Sequence, residues 1–156
     1  MGFYSSYKAV FTNIKTKLTY VPEDPGPPVV PATGLSSLKT VILGERFDPG
    51  MMPMAIINAE PAPIDQLSMG INLEIHVRGS IVLVLRSYEP ADWFDDVITV
   101  MGDVADAILA DRTLGGKCFD FFLTGFSPGE LKFSAVKDKL FYGGVVRFEA
   151  VVHYEP

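Results

Sequence analysis

Several residue types that build functional sites are scarce in this sequence. Among its 156 residues is a single cysteine, Cys118, which excludes an internal disulfide framework and any zinc site with several cysteine ligands. The longest uninterrupted apolar run is Ile81 to Leu85, whereas a membrane-spanning helix needs about 20 residues. We therefore expect a chain without a membrane partner, held together by its core or by a core plus an oligomer interface.

Basic residues are also few. Thirteen Lys and Arg against nineteen Asp and Glu give a net charge of −6, and seven of the acids, with no base among them, lie between Glu89 and Asp111. A surface that binds nucleic acid needs basic residues to neutralise the phosphates, so the segment from Glu89 to Asp111 is a poor candidate for such a surface. The content of 48% hydrophobic and 21% charged residues is typical of a folded globular chain and excludes a disordered one. The length predicts one domain.

Two segments show the spacing of amphipathic helices. Between Tyr4 and Leu18 the apolar residues recur in steps of three and four, which places them on one helical face. A second helix is predicted to start at Glu89-Pro90 and to be closed by Gly115-Gly116. Its apolar positions are Trp93, Phe94, Val97, Ile98, Met101, Val104, Ala105, Ile108 and Leu109, and all of these except Ala105 are expected to pack on the sheet.

The opposite side of that second helix carries an acidic stripe. Its carboxylates are Asp92, Asp96, Asp103 and Asp106, with Asp95 beside them. Burying an unpaired carboxylate is very costly, so we expect the stripe to face water or a basic patch on a neighbouring molecule.

The remaining segments are β-prone. Ile71 to Arg78 alternates apolar and polar residues, which predicts a strand with one buried face, and Gly79 suggests a bulge or bend. Met54 to Ala59, fenced by prolines, is predicted to be an edge or isolated strand. Later strands are predicted at Cys118–Thr124, Leu131–Val136 and Leu140–Tyr154, with a turn at Ser127–Glu130. The order of elements predicts a single α+β domain with a mixed, mostly antiparallel sheet packed by two main helices.

A proline-rich stretch separates the first helix from the first strand. Val21 to Gly34 contains five prolines and two glycines, so it is neither a helix nor a central strand. We interpret it as an extended loop that is either a connector or a binding arm.

One motif resembles a hydrolase signature. Gly125 to Gly129 matches the G-x-S-x-G pattern, and Asp138 and His153 follow in the order of a catalytic triad. The nucleophile elbow, however, lies between a strand and a helix, and the residue after its serine donates a backbone N–H to the oxyanion. Here both flanks are strands and Pro128 has no N–H. We therefore interpret Ser127 as part of a β-turn and expect no enzyme activity.

The two histidines offer a conceivable metal site. Glu74 and His76 share one strand face, as do Glu149 and His153 on another strand, so a site with two histidines and carboxylates requires that these strands pair. We favour two surface histidines on a polar sheet face, with no cofactor. Cys118 heads an apolar strand and is interpreted as a small core residue rather than a nucleophile.

The order of the pieces resembles a known family. An N-terminal helix is followed by Val41–Arg46 and Pro53–Asn58, then by a long strand, the acidic helix, and a segment formed by Asp111, Arg112, Thr113, Leu114, Gly115 and Gly116. The chain closes with a strand ending at Phe148–Tyr154. This order resembles the tail terminator, or tail completion, proteins of long-tailed bacteriophages and related prophages, from about Leu38 onward. The proline-rich stretch departs from that pattern.

The resemblance implies a structural role. Such proteins are α+β folds that form rings, commonly hexamers, which cap the tail tube, stop its polymerisation and present a surface for head joining. Implied partners are further copies of the chain, the tail tube protein and head–tail connector proteins, with DNA passing through without specific binding. The implied location is the virion tail, after synthesis in the bacterial host cytoplasm. In this setting the acidic stripe faces the ring lumen, the outer surface or a neighbour.

Two alternatives remain at this point. A phage neck or head–tail joining protein would differ from a terminator only in its partner. A small ligand-binding or enzymatic α+β domain would use the sheet face that bears the histidines. Ring formation separates the terminator from the ligand-binding domain.

Overall fold

The computed structural model describes residues 2–44, 49–66, 73–86, 93–133 and 136–154. Two α-helices and six strands occur in these ranges, which confirms the predicted α+β class. The helices are α1 (Phe3–Leu18) and α2 (Trp93–Leu109). The strands are β1 (Thr40–Leu43), β2 (Met54–Glu60), β3 (Ile64–Gln66), β4 (Leu73–Arg86), β5 (Asp120–Phe133) and β6 (Val136–Tyr154).

The strands form one mixed sheet in the order β1-β2-β4-β6-β5, with β3 paired to the first residues of β4. Only β1 and β2 run parallel, and the other pairings are antiparallel.

The prediction that Met54–Ala59 forms an edge strand is wrong. Strand β2 lies between β1 and β4, and its residues from Met54 to Ile57 are buried. Pro53 and Pro61 fall just outside β2, so neither removes a hydrogen bond from the ladder.

Both helices pack on one face of the sheet. The alternation predicted for β4 is confirmed, since Ile75 and Val77 point into the same core as the helices, together with Phe148 and Ala150 of β6. Helix α1 contributes the predicted residues to this core, of which Val10, Phe11, Ile14 and Leu18 are buried and Tyr7 is half-buried.

Helix α2 buries a narrower stripe than predicted. Its buried residues are Val97, Met101, Val104 and Ile108. Phe94 is 53% exposed, Leu109 is 38% exposed and Ile98 is half-buried, so the prediction that these three are core residues is wrong. A helix lying on a sheet buries one stripe of its circumference, and these three residues flank that stripe. Glu89, Pro90 and Asp92 lie outside the described residues, as does the side chain of Trp93. The helix ends at Leu109, before the predicted stop at Gly115-Gly116.

The last part of the chain is a long hairpin rather than three strands. The predicted turn at Ser127–Glu130 is wrong, because these residues continue β5 and pair with Tyr142–Val145 of β6. Two glycines of β6 allow β4 and α2 to approach this strand closely, because glycine has no side chain. A Cβ at Gly143 would lie 1.8 Å from the Leu83 oxygen, and one at Gly144 would lie 2.3 Å from Met101 Sδ. The predicted strand at Cys118 begins instead at Asp120, and Phe119 is 70% exposed.

The bulge predicted at Gly79 does not occur in β4. Strands β4 and β6 keep one register from Leu73↔Tyr154 to Val84↔Gly143, and the irregularity follows Val84. None of the described helices is long and apolar enough to cross a membrane.

The proline-rich stretch folds back on itself. Backbone bridges join Val21 to Thr33 and Asp24 to Val30, with N···O distances of 2.9–3.0 Å. Every residue from Tyr20 to Gly34 except Gly26 is exposed. We call this segment the arm (Tyr20–Gly34).

Candidate functional site

The sheet face opposite the helices carries a polar network, which we call the polar face (Glu74, His76, Arg78, Glu149 and His153). The register places Glu74 opposite His153 and Arg78 opposite Glu149. His76 Nε2 lies 2.9 Å from Glu74 Oε1 and His76 Nδ1 lies 3.6 Å from Glu149 Oε2. Arg78 Nε donates to Glu149 Oε1, and His153 Nε2 lies 3.6 Å from Glu74 Oε2. The pairing that a metal site required is therefore present.

The donor set suits mutual neutralisation better than metal binding. Each carboxylate already faces a cationic or imidazole partner, with the Arg78 guanidinium directly on Glu149. Among the described residues no group of three or more His, Cys, Asp or Glu side chains has the geometry of a metal site. Glu149 is 7% exposed, so its charge needs these partners. The polar face therefore acts as a cross-strand clamp between β4 and β6.

An exposed aromatic pair borders this network. The rings of Phe119 and His153 stack with centroids 4.7 Å apart and an interplanar angle of 15°. Both side chains are largely open to solvent, with Phe119 70% exposed. Sequence reasoning missed this pair, because a strand running from Cys118 to Thr124 puts Phe119 on the same face as Phe121, which is fully buried.

Ser127 and Cys118, the two candidate nucleophiles, lie inside a strand and in the core, respectively. Ser127 is inside β5 opposite Val145, with Pro128 after it, so it occupies neither the strand-to-helix elbow nor the predicted turn. Cys118 is buried, and burial together with the nearby Asp120 and Asp111 carboxylates raises the pKa of its thiol to about 11. At neutral pH this thiol stays protonated and donates to the Arg112 carbonyl at 3.5 Å.

The segment that carries the family resemblance forms a closed turn between α2 and β5. Asp111 Oδ1 accepts hydrogen bonds from the Thr113 hydroxyl at 2.8 Å and the Thr113 N–H at 3.0 Å, and Asp111 Oδ2 accepts from the Gly115 N–H at 2.7 Å. These bonds, led by that of the Thr113 hydroxyl, lower the pKa of Asp111.

The same turn is anchored on both sides. Leu114 has a φ of +49° and is fully buried, followed by Gly115 and Gly116 with φ of +70° and +82°. Arg112 reaches Asp120 at the start of β5, with 2.8 Å between Nη2 and Oδ1. The segment therefore sets the path from α2 into the hairpin.

The acidic stripe lies on the outer side of α2. Asp95, Asp103 and Asp106 are exposed and Asp96 is half-buried. No basic residue occurs in α2, so the outward surface of this helix is negative.

Surface depressions border α1 at several places in the part of the chain that the structure describes. A cleft of about 470 Å³ at the base of the arm is lined by Thr19, Tyr20, Ser36, Ser37, Leu38, Lys39, Val41 and Pro53. A second, more apolar groove of about 280 Å³ lies between the first turns of α1 and the ends of β1 and β2. We call it the aromatic groove (Tyr4, Tyr7, Phe11, Leu43, Ile57, Ala59), with Lys8 and Gly44 also in its lining. No local sequence signal marks it, because three separate elements build it.

The polar face, the Asp111 turn, the acidic stripe and the aromatic groove are thus four candidate surfaces among the described residues. No protein-family model matches the chain, and no curated protein matches it.

Proposed function

We propose that this chain is a structural virion protein that assembles into a ring, commonly a hexamer, at the end of a bacteriophage tail tube. The ring terminates tube polymerisation and provides the surface for head joining. One observation carries the proposal: α1, β1 and β2, the long strand β4, the acidic helix α2, the Asp111–Gly116 turn and the final β6 follow in the order on which the family resemblance rests.

The electrostatics support passage of DNA through such a ring. DNA is held by neutralising its phosphates, and a negative wall avoids that contact. The exposed carboxylates of Asp95, Asp103 and Asp106 give α2 a suitable outer surface. In this proposal α2 lines the lumen, while copies of the chain, the tube protein and the head–tail connector proteins contact other surfaces. The protein acts in the virion tail.

Mass and shape in solution test the proposal. Light scattering should give about six times the 17.1 kDa chain mass, and electron microscopy should show rings with an open centre. With the tube protein of the phage or prophage that encodes the chain, the rings should sit at one end of each tube and shorten the tubes. A monomer both alone and with tube protein would contradict the proposal. Rings that bind connectors and leave tube length unchanged would favour a neck protein.

A further inference from the structure

The arm and the aromatic groove are complementary in shape and chemistry. The arm carries Pro22, Pro25, Pro27, Pro28 and Pro31 and exposes Val21, Val29 and Val30 by 54%, 64% and 49%. The groove presents tyrosine rings, and Tyr4 is 71% exposed. Proline-rich segments dock in aromatic-lined grooves, because their restricted backbone loses little entropy on binding.

The charges of the two surfaces are opposite. The arm contains Glu23 and Asp24 and no base. As far as the structure describes it, the lining of the groove contains Lys8 and no acid. Lys8 lies at the groove, with its Nζ 5.6 Å from the centroid of the Tyr4 ring. An incoming acidic segment therefore meets a cation beside the aromatic wall.

The arm does not fill the groove of its own chain. It leaves the C-terminal end of α1, whereas the groove is built on the first turns of that helix, and no arm residue lines it. The base of the arm is pinned, because the Leu35 N–H donates to the Leu18 carbonyl and a Cβ at Gly34 would lie 2.0 Å from the Thr19 oxygen. Beyond this base the arm extends roughly 15 Å as a two-stranded ladder.

A ladder of two strands is marginally stable on its own. Here it holds exposed valines and prolines away from the core, which is unfavourable unless another surface covers them. Its opposite charge and aromatic lining make the groove of a second copy a surface that fits the arm.

We propose that the arm of one chain docks in the aromatic groove of the next copy, with Glu23 and Asp24 facing Lys8. In the proposed assembly each arm reaches the next copy and is not exchanged back, so the contact is head-to-tail, and it gives a ring where the rotation between copies closes. This inference rests on the proposed assembly into rings and names the contact that holds neighbours together.

Cross-linking between chains that each carry one introduced cysteine besides the buried Cys118 tests the contact. One chain carries Val29→Cys on the arm, and a mass-tagged chain carries Ala59→Cys at the groove. Both native residues are exposed, so folding is expected to be unaffected, and equal unfolding midpoints verify it. Under gentle oxidation the Val29→Cys and Ala59→Cys chains should join at least about tenfold faster than Val29→Cys with the control Thr16→Cys on exposed α1 surface. The native chain controls for Cys118, which is buried.

Charge reversal adds a second readout. Lys8→Glu in the groove chain should slow cross-linking about tenfold, and Glu23→Lys with Asp24→Lys in the arm chain should restore it. Equal rates with Ala59→Cys and Thr16→Cys, or no effect of Lys8→Glu, would overturn the proposal. Predominant Val29-to-Val29 links would overturn it in favour of a symmetric arm–arm dimer. Cross-links to the tube protein rather than to a second copy would also overturn it.

Ring formation distinguishes the two proposals. Rings that persist when residues 22–32 are replaced by a Gly-Ser linker of equal length would retain the ring proposal and refute the arm contact. Specific cross-links without rings, alone or with tube protein, would retain the arm contact and refute the ring.

Discussion

Gly79 of β4 faces the ring of Phe148 on β6, its register partner. A Cβ at position 79 would lie 2.6 Å from Phe148 Cζ, 2.6 Å from the Asn58 carbonyl oxygen and 2.9 Å from Phe11 Cε1. The glycine therefore makes room for two aromatic rings under α1, whose centroids are 6.0 Å apart. Its role is close packing rather than a bulge.

This packing predicts the effect of a single methyl group. Gly79→Ala should lower the free energy of unfolding by about 1–3 kcal/mol, because the core has no space for the Cβ. Gly102→Ala is the matched control, since nothing lies within 4 Å of its Cβ and alanine is the better helix former. Urea denaturation measures both changes. A neutral Gly79→Ala would show that the rings move aside without cost.

Two isoleucines of α2 provide a test of which helix face is buried. Ile108→Ala should cost about 2–5 kcal/mol of stability, because Ile108 is fully buried. Ile98→Ala should cost about 1 kcal/mol or less, because Ile98 is only half-buried. Equal losses in chemical denaturation would mean that α2 is rotated relative to the sheet described above.

The cross-strand clamp predicts that replacing Arg78 lowers stability more than replacing Arg147 does. Arg78→Ala removes the guanidinium from Glu149, whose side chain is 10% exposed, and should cost about 1–3 kcal/mol. Arg147→Ala breaks a solvent-exposed pair with Glu60 at 3.5 Å and should cost less than about 1 kcal/mol. Thermal unfolding of the two variants compares them, and a larger loss in Arg147→Ala would refute the clamp.

The Asp111 turn predicts a pH dependence. Hydrogen bonds to its carboxylate hold the pKa of Asp111 below the ordinary value of 3.8, so ionised Asp111 favours the folded state. This contribution is nearly complete above about pH 5 and is lost progressively as the pH falls past 3.8 to the lowered pKa. Asp111→Asn should therefore lower the midpoint temperature of unfolding near pH 6. The difference in midpoint temperature between the variant and the native chain should shrink below pH 3.8. Asp103→Asn, on the exposed side of α2, is the matched control for the loss of one carboxylate.

If α2 lines the lumen of a ring, as proposed, its acidic residues should reduce the affinity of the ring for DNA. Replacing Asp95, Asp103 and Asp106 by Asn should leave rings intact and increase DNA retention at low salt, where charges are least screened. A filter-binding assay at several salt concentrations measures retention. Unchanged DNA behaviour would place these residues on an outer solvated surface, and loss of the rings would place them at the subunit interface.

Residue spacing was sufficient to predict the elements whose pattern repeats locally. The steps of three and four in α1, and the alternation in β4, predicted the buried faces, because side-chain direction follows helix and strand geometry directly. The exposed position of Asp95, Asp103 and Asp106 likewise follows from the cost of burying charge.

Tertiary pairing decided the features that the local pattern could not. Ser127–Glu130 has the composition of a turn, yet β6 supplies a continuous backbone partner with Gly143 and Gly144 opposite, so the strand continues. Met54–Ile57 looks like an edge segment, but β1 and β4 flank it on both sides. The polar face and the aromatic groove join residues far apart in the chain. Contacts of this kind depend on register and packing between distant strands, which local propensity does not encode.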